Sequence, residues 1–334
     1  MSEAATIRDA SDPFSPSSDQ EVHSDLILRS SDLVDFFVHK VVLSFASLVF
    51  RDMFAFPQPV GEDANLIRDG KPVVHLPESS QTIEKLLTLC YPRFTSSYGF
   101  NDLDGVDGAY EAAGKYEIQG GQKLLERLLE EPKFLEKQPH RVFAIACHRG
   151  LQKLAKAAAM ETLKLPRYVP HISVPEFKFI SAHQLRQLED FHYSCSNYVV
   201  QHVRGLAGSV PYDMGRQEGA NYNSVWWDTE GHGVGCGARG TREEDVYDVY
   251  EGLEPAPWFQ QHIQTVAEAA ACCPDVKTVS KDMVNISGPT LKVMPNCPKC
   301  LAVAQDSLSD LAEEIGMEVP EVFQSTLAKI SFVN

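Results

Sequence analysis

A mainly helical α+β fold, with a short sheet at the front and a helical C-terminal region, is what the sequence predicts. Three observations point there. Short apolar runs bounded by polar residues or Pro, the pattern of strands, all lie ahead of Pro77. Apolar residues at helical spacing then recur along most of the chain. The 334 residues, 43% apolar and 23% charged, give length for a buried core and about two domains.

Residues 1–23 are rich in Ser, Pro and Asp and poor in large apolar groups, which reads as a disordered acidic tail. Leu26-Ile27-Leu28 and Phe36-Phe37-Val38 flank the polar stretch Arg29-Ser30-Ser31-Asp32, a hairpin pattern. Val42, Leu43, Ala46, Val49, Phe50 and Met53 fall at helical spacing, and Ser47 is placed to cap a second short helix. Leu43, Phe50 and Met53 are expected in the core. Val73-Val74-His75-Leu76 reads as a third strand closed by Pro77. Ser79 or Ser80 then caps a helix carrying Ile83, Leu86, Leu87 and Cys90, which Pro92 ends.

Helices are expected over 106–116 and 118–129, with a short element between Pro132 and Pro139. A helix pair over 142–147 and 151–163 and helices near 175–181 and 182–201 follow. Over 205–240 Gly, Asn and Tyr are frequent and periodicity is lost, the mark of a Gly-rich irregular connection. Helical character returns over 243–251 and 257–271. Two short helices, 308–315 and 320–330, close the chain after a Cys-x-x-Cys. The layout is therefore a tail (1–23), a folded domain (24–130), a helical extension (131–204), an irregular loop (205–240) and a helical C-terminal region (241–334).

Acidic residues outnumber basic ones 46 to 30, for a net charge of −16, and Lys and Arg are scattered singly. Such a chain repels a phosphate backbone, so nucleic acid is excluded as a partner. The longest apolar run, residues 41–50, is far short of the ~18 residues a membrane span needs. The N-terminus lacks an apolar signal region, so the expected location is cytoplasm or nucleus, with the eight Cys reduced, buried or metal-bound.

Asp25-Leu26-Ile27-Leu28, followed by Phe36-x-Val38-His39-Lys40-x-x-Leu43-Ser44-x-x-Ser47-x-x-Phe50-x-x-Met53-Phe54, resembles the core motif of BTB/POZ domains. The order of strands and helices up to Leu129 fits that fold as well. FPQP after the second helix, then RVFAIACHRGL and LKLP, makes the whole chain similar to the expanded BTB family of mushroom-forming fungi. The resemblance implies a protein-interaction module that homodimerises through its first strand and first helices. It also implies a role for His39 at a helix start. Asp25 and Lys40 would form a buried charged pair in the dimer-interface pocket. Some family members recruit cullin-type ubiquitin ligase scaffolds, and Val60-Gly61-Glu62 is a loose counterpart of their contact motif. Phe36, Val38 and Asp25 are the expected interface residues.

Cys297-Pro298-Lys299-Cys300 is the sharpest signal for chemistry. Two thiolates at this spacing bind one tetrahedral ion, and His232 and Cys236 would complete a Cys₃His zinc site, with Cys195 as an alternative ligand. Loop thiols without metal are the competing reading. A thioredoxin-like redox pair would need a helix starting at Cys297 within a βαβ unit, and neither is expected. Gly235-Cys236-Gly237-Ala238-Arg239-Gly240 spells a dinucleotide-type glycine pattern without a preceding strand, so a flexible loop is the better reading. No Gly-x-Ser-x-Gly elbow supports a hydrolytic triad. His148, His183 and His192 read as structural, and Trp226, Trp227 and Trp258 as a small C-terminal core. The chain thus reads as a non-enzymatic interaction protein. The alternatives are a ubiquitin-ligase adaptor and a zinc-stabilised binding or redox module.

Overall fold

The computed structural model describes residues 6–16, 23–55, 66–91, 100–166, 174–208, 255–286 and 297–333. The chain divides into two compact units, Met1–Leu154 and Ala155–Asn334.

In the first unit, strands β2 (Leu26–Arg29) and β3 (Val34–Val38) form the expected antiparallel hairpin, with Leu26 opposite Val38 and Arg29 opposite Asp35. The turn is closed by Ser30, whose hydroxyl oxygen accepts the Val34 N–H at 2.9 Å. Among the described residues the sheet has five strands rather than the three expected, in the order β1-β3-β2-β5-β4. Strand β5 (Lys71–His75) runs parallel to β2 and pairs antiparallel with β4 (Ile67–Arg68).

Strand β1 (Arg8–Asp9) lies parallel to the outer edge of β3. Residues 6–16 therefore correct the expectation of a disordered tail. The Ala10 N–H bonds to the Asp35 carbonyl, and the Phe37 N–H bonds to the Phe14 carbonyl. Phe14 is buried against Phe36 and Tyr91. A single buried aromatic and a free strand edge supply what the polar composition hides.

Period-two alternation sorts the hairpin side chains. Leu26, Leu28, Val34, Phe36 and Val38 enter the main core, while Ile27, Arg29, Asp35 and Phe37 take the other face. On the core side lie α1 (Lys40–Ala46), α2 (Leu48–Ala55) and α3 (Ser80–Cys90). They contribute Leu43, Phe50, Ile83, Leu86 and Leu87, with Met53 partly buried. Ser47 caps α2 by accepting the Phe50 N–H at 3.0 Å. Of the two candidate serines, Ser79 caps α3.

Helices α4 (Val106–Lys115), α5 (Gly121–Leu129), α6 (Pro132–Leu135) and α7 (Pro139–His148) follow close to expectation. The α6 and α7 segments pack in series against α5 and each other, within the first unit.

Helix α8 (Gln152–Thr162) carries the boundary between the units. After a 3₁₀ turn at Pro175–Phe179, the second unit packs α9 (Ala182–Gly208) against α10 (Pro257–Cys272) and against α12 (Pro298–Ala328). A helix absent from the sequence reading, α11 (Val276–Val284), is capped by Asp275 and lies against α12. Trp258, Phe259, Phe323 and Phe332 are fully buried here, as expected for Trp258.

The two expected terminal helices are one 31-residue helix with Pro320 inside it. Proline removes one ladder hydrogen bond, and burial of Ile315, Val319, Phe323 and Leu327 along one face carries the helix through.

Candidate functional site

Among the described residues, nothing covers the outer face of helix α1. Its inner face places Leu43 in the core. Its outer face carries Val41, 58% exposed, and Phe45, 85% exposed, one turn apart. A phenyl ring held in solvent by a well-anchored helix is an unusual use of a large apolar side chain.

Three contacts fix how α1 is presented. The Asp25 carboxylate accepts the Lys40 backbone N–H at 2.7 Å, which satisfies one free donor of the first turn. The His39 N–H donates to the Tyr91 hydroxyl at 2.8 Å, so the start of α1 is tied to the end of α3. At the other end Ser47 donates to the Tyr116 carbonyl at 2.5 Å and forms a bridge with Ile118. Burial pushes the Tyr91 phenol up, so it stays a neutral donor and acceptor.

The opposite face of the sheet is locked by charge. Asp35, fully buried, accepts two hydrogen bonds from Arg29, at 2.5 and 2.7 Å, and one from Arg68 at 2.5 Å. Arg68 also reaches Asp9 at 2.7 Å, so β1, β2, β3 and β4 are joined through one network. The cations of Arg68 and Lys71 lie over the Phe37 ring, 5.7 and 5.2 Å from its centroid. This face holds its own chain together.

The architecture is a small mixed sheet, a helical cluster over one face and an apolar first helix turned outward. Residues 14–133 match the BTB/POZ domain family. That domain is a non-catalytic protein–protein interaction module. No curated protein matches the chain. Among the described residues, no helix is long and apolar enough to cross a membrane.

The expected site residues of the BTB/POZ domain lie in the single chain as follows. Phe36, 3% exposed, and Val38, 0% exposed, are core residues of their own chain, because β3 is flanked on both edges and covered on its inner face by helices. Asp25 is exposed, and no ion pair joins it to Lys40. Its carboxylate is short and sits at the start of β2, where it meets the backbone of α1 before any side chain. His39 takes the structural position at the helix start. Val60 and Glu62 lie outside the described residues. The exposure of Val41 and Phe45 is not among the expectations from the sequence. Their signal was available, since both fall off the stripe formed by Leu43, Ala46 and Phe50.

The cysteine site is not assembled among the described residues. His232 and Cys236 fall outside them, as do Trp226, Trp227, the glycine pattern at 235–240 and the helix expected over 243–251. Cys297 is buried and stands at the N-cap of α12, so a helix does begin there, contrary to the sequence reading. Cys300 lies in its first turn. Cys195 is buried on α9, where loss of solvent pushes its thiol up to about 12. Neither Cys195 nor Cys297 joins a group of three metal-ligating side chains among the described residues.

His148 is structural, with Nδ1 2.9 Å from Asp107, a carboxylate that Arg149 holds through both oxygens. His192 is buried on α9, whereas His183 is exposed at its start.

Proposed function

We propose that this protein is a non-enzymatic scaffold whose BTB/POZ domain homodimerises through the outer face of α1, while the helical second unit engages another protein. One observation carries the reading: Val41 and Phe45 stand side by side on α1 with most of their surface in water. Full burial of a Val or Phe side chain is worth about 1.5–3 kcal/mol, and a two-fold axis places the same pair on both chains. Pairing through α1 leaves the Asp35 network untouched, because that network lies on the other side of the sheet.

Dimerisation would place two copies of the second unit on one particle. That raises the effective concentration for a bivalent partner. The location that suits this role is the cytoplasm or nucleus.

The test is equilibrium mass of the full chain with Phe45→Glu, against Leu124→Glu as a control. Leu124 is an exposed apolar residue on α5. The reading expects Phe45→Glu to shift the dimer toward monomer by at least tenfold in dissociation constant, with an unchanged melting temperature, and Leu124→Glu to leave the mass as it is. Equal behaviour of the two variants would refute it.

A further inference from the structure

We infer that His202, Glu314 and Glu318 form a binding site for a divalent transition-metal ion between α9 and α12, with zinc the ion their chemistry suits. Glu314 and Glu318 stand one turn apart on α12, and His202 meets them from α9. One ligand atom from each lies within 4.8 Å of the others. Bonds of about 2.0–2.2 Å to a tetrahedral ion put neighbouring donor atoms about 3.4 Å apart. Nδ1 of His202 is already 3.8 Å from Oε2 of Glu318, too far for a hydrogen bond and near that spacing. Glu318 is 56% exposed, so its side chain has room to close the remainder.

The surroundings fit a missing cation. Among the described residues no Lys or Arg pairs with Glu314 or Glu318, so two like charges sit one helical turn apart uncompensated. Nδ1 is the ring nitrogen of His202 that faces Glu318, while Nε2 is buried and has no hydrogen-bond partner among the described residues. The imidazole is stacked on Tyr198, with centroids 5.9 Å apart and planes inclined by 19°, so packing sets its direction. One imidazole and two carboxylates form a borderline donor set that favours Zn²⁺ over Mg²⁺ or Ca²⁺, and three protein ligands leave a fourth position for water. The net charge of −16 raises the local cation concentration. These residues are distinct from the cysteines at 297 and 300, and they join two long helices of one unit.

The experiment titrates the full-length protein, stripped of metal by a chelator, with Co²⁺ and then Zn²⁺. The expected result is one Co²⁺ per chain with the weak bands of nitrogen and oxygen ligands, displaced by Zn²⁺, and a melting temperature raised by Zn²⁺. His202→Ala and Glu314→Gln should each weaken binding by at least about tenfold, the scale on which perturbed metal sites lose affinity. Should His202→Ala fail to fold, Glu314→Gln and Glu318→Gln decide the matter, since among the described residues neither carboxylate has an ion-pair partner to lose beyond His202. Absence of saturable binding, a cobalt spectrum of thiolate character alone, or binding unchanged in both Glu variants would overturn the assignment.

Discussion

Arg29 and Asp35 face each other across the β2–β3 hairpin, with two guanidinium nitrogens on the two carboxylate oxygens at 2.5 and 2.7 Å and both side chains out of solvent. Asp35→Asn removes the charge and leaves Arg29 and Arg68 against a neutral amide. Breaking a buried pair from one side costs about 3–5 kcal/mol, which urea denaturation of the full chain would register as a lower midpoint for the first unit.

The same carboxylate makes the first unit sensitive to acid. Burial pulls its pKa up, but hydrogen bonds from Arg29 and Arg68 outweigh burial and hold it below the ordinary carboxylate value. An unfolded chain binds the Asp35 proton at about pH 3.9. The stabilisation is therefore complete above that pH and is lost as pH falls toward the folded-state value. Melting temperatures between pH 6 and pH 3 should fall more steeply for the wild type than for Asp35→Asn.

Two glycines at positive φ should respond very differently to Ala. Gly105, at φ +75°, ends the approach to α4, and an added Cβ would lie 2.7 Å from the backbone of Gln81. Gly70, at φ +72°, has nothing within 4 Å. Gly70→Ala should cost only the left-handed backbone term, about 1–2 kcal/mol, and Gly105→Ala about 2–5 kcal/mol because the clash adds to it. Thermal melts of the two variants compare them directly.

The hairpin, α1 to α3 and the helices up to residue 162 were legible because alternation, helical spacing and Ser caps are local signals. Strand β1 was not, since its pairing partner lies 26 positions on and its own residues are polar. The Arg29–Asp35 network was hidden for a different reason, since its two members are only six positions apart. Arg29 looked like turn material, and only strand register brings it opposite Asp35. Pro320 reads as a helix boundary by local signals, and only burial of Ile315 and Phe323 carries the helix past it. At the candidate site, helix α1 is legible from the motif and its spacing. Which faces the core claims depends on tertiary packing, so the burial of Phe36 and Val38 and the exposure of Val41 and Phe45 are not legible in the motif alone. His202 and the Glu pair on α12 are more than 100 residues apart, beyond any spacing rule.

In the second unit, His262 is buried, and its Nε2 donates to the Met283 carbonyl at 2.7 Å. Burial lowers its pKa, more than the Met283 hydrogen bond and nearby Asp282 raise it. The unfolded chain takes up this proton at about pH 6.5, so the folded state loses stability as pH falls below that value. Urea midpoints of the second unit at pH 7.5 and pH 5.5 should differ in the wild type. His262→Gln, which keeps a donor for Met283, should narrow that difference.

Sedimentation equilibrium of the full chain over a wide concentration range tests the interaction role of α1 most directly. The account predicts a mass twice the 37.1 kDa of one chain at micromolar concentration, reduced toward 37.1 kDa when Val41 and Phe45 are both changed to Glu. A wild-type mass of 37.1 kDa at every concentration, or a dimer indifferent to both substitutions, would contradict it.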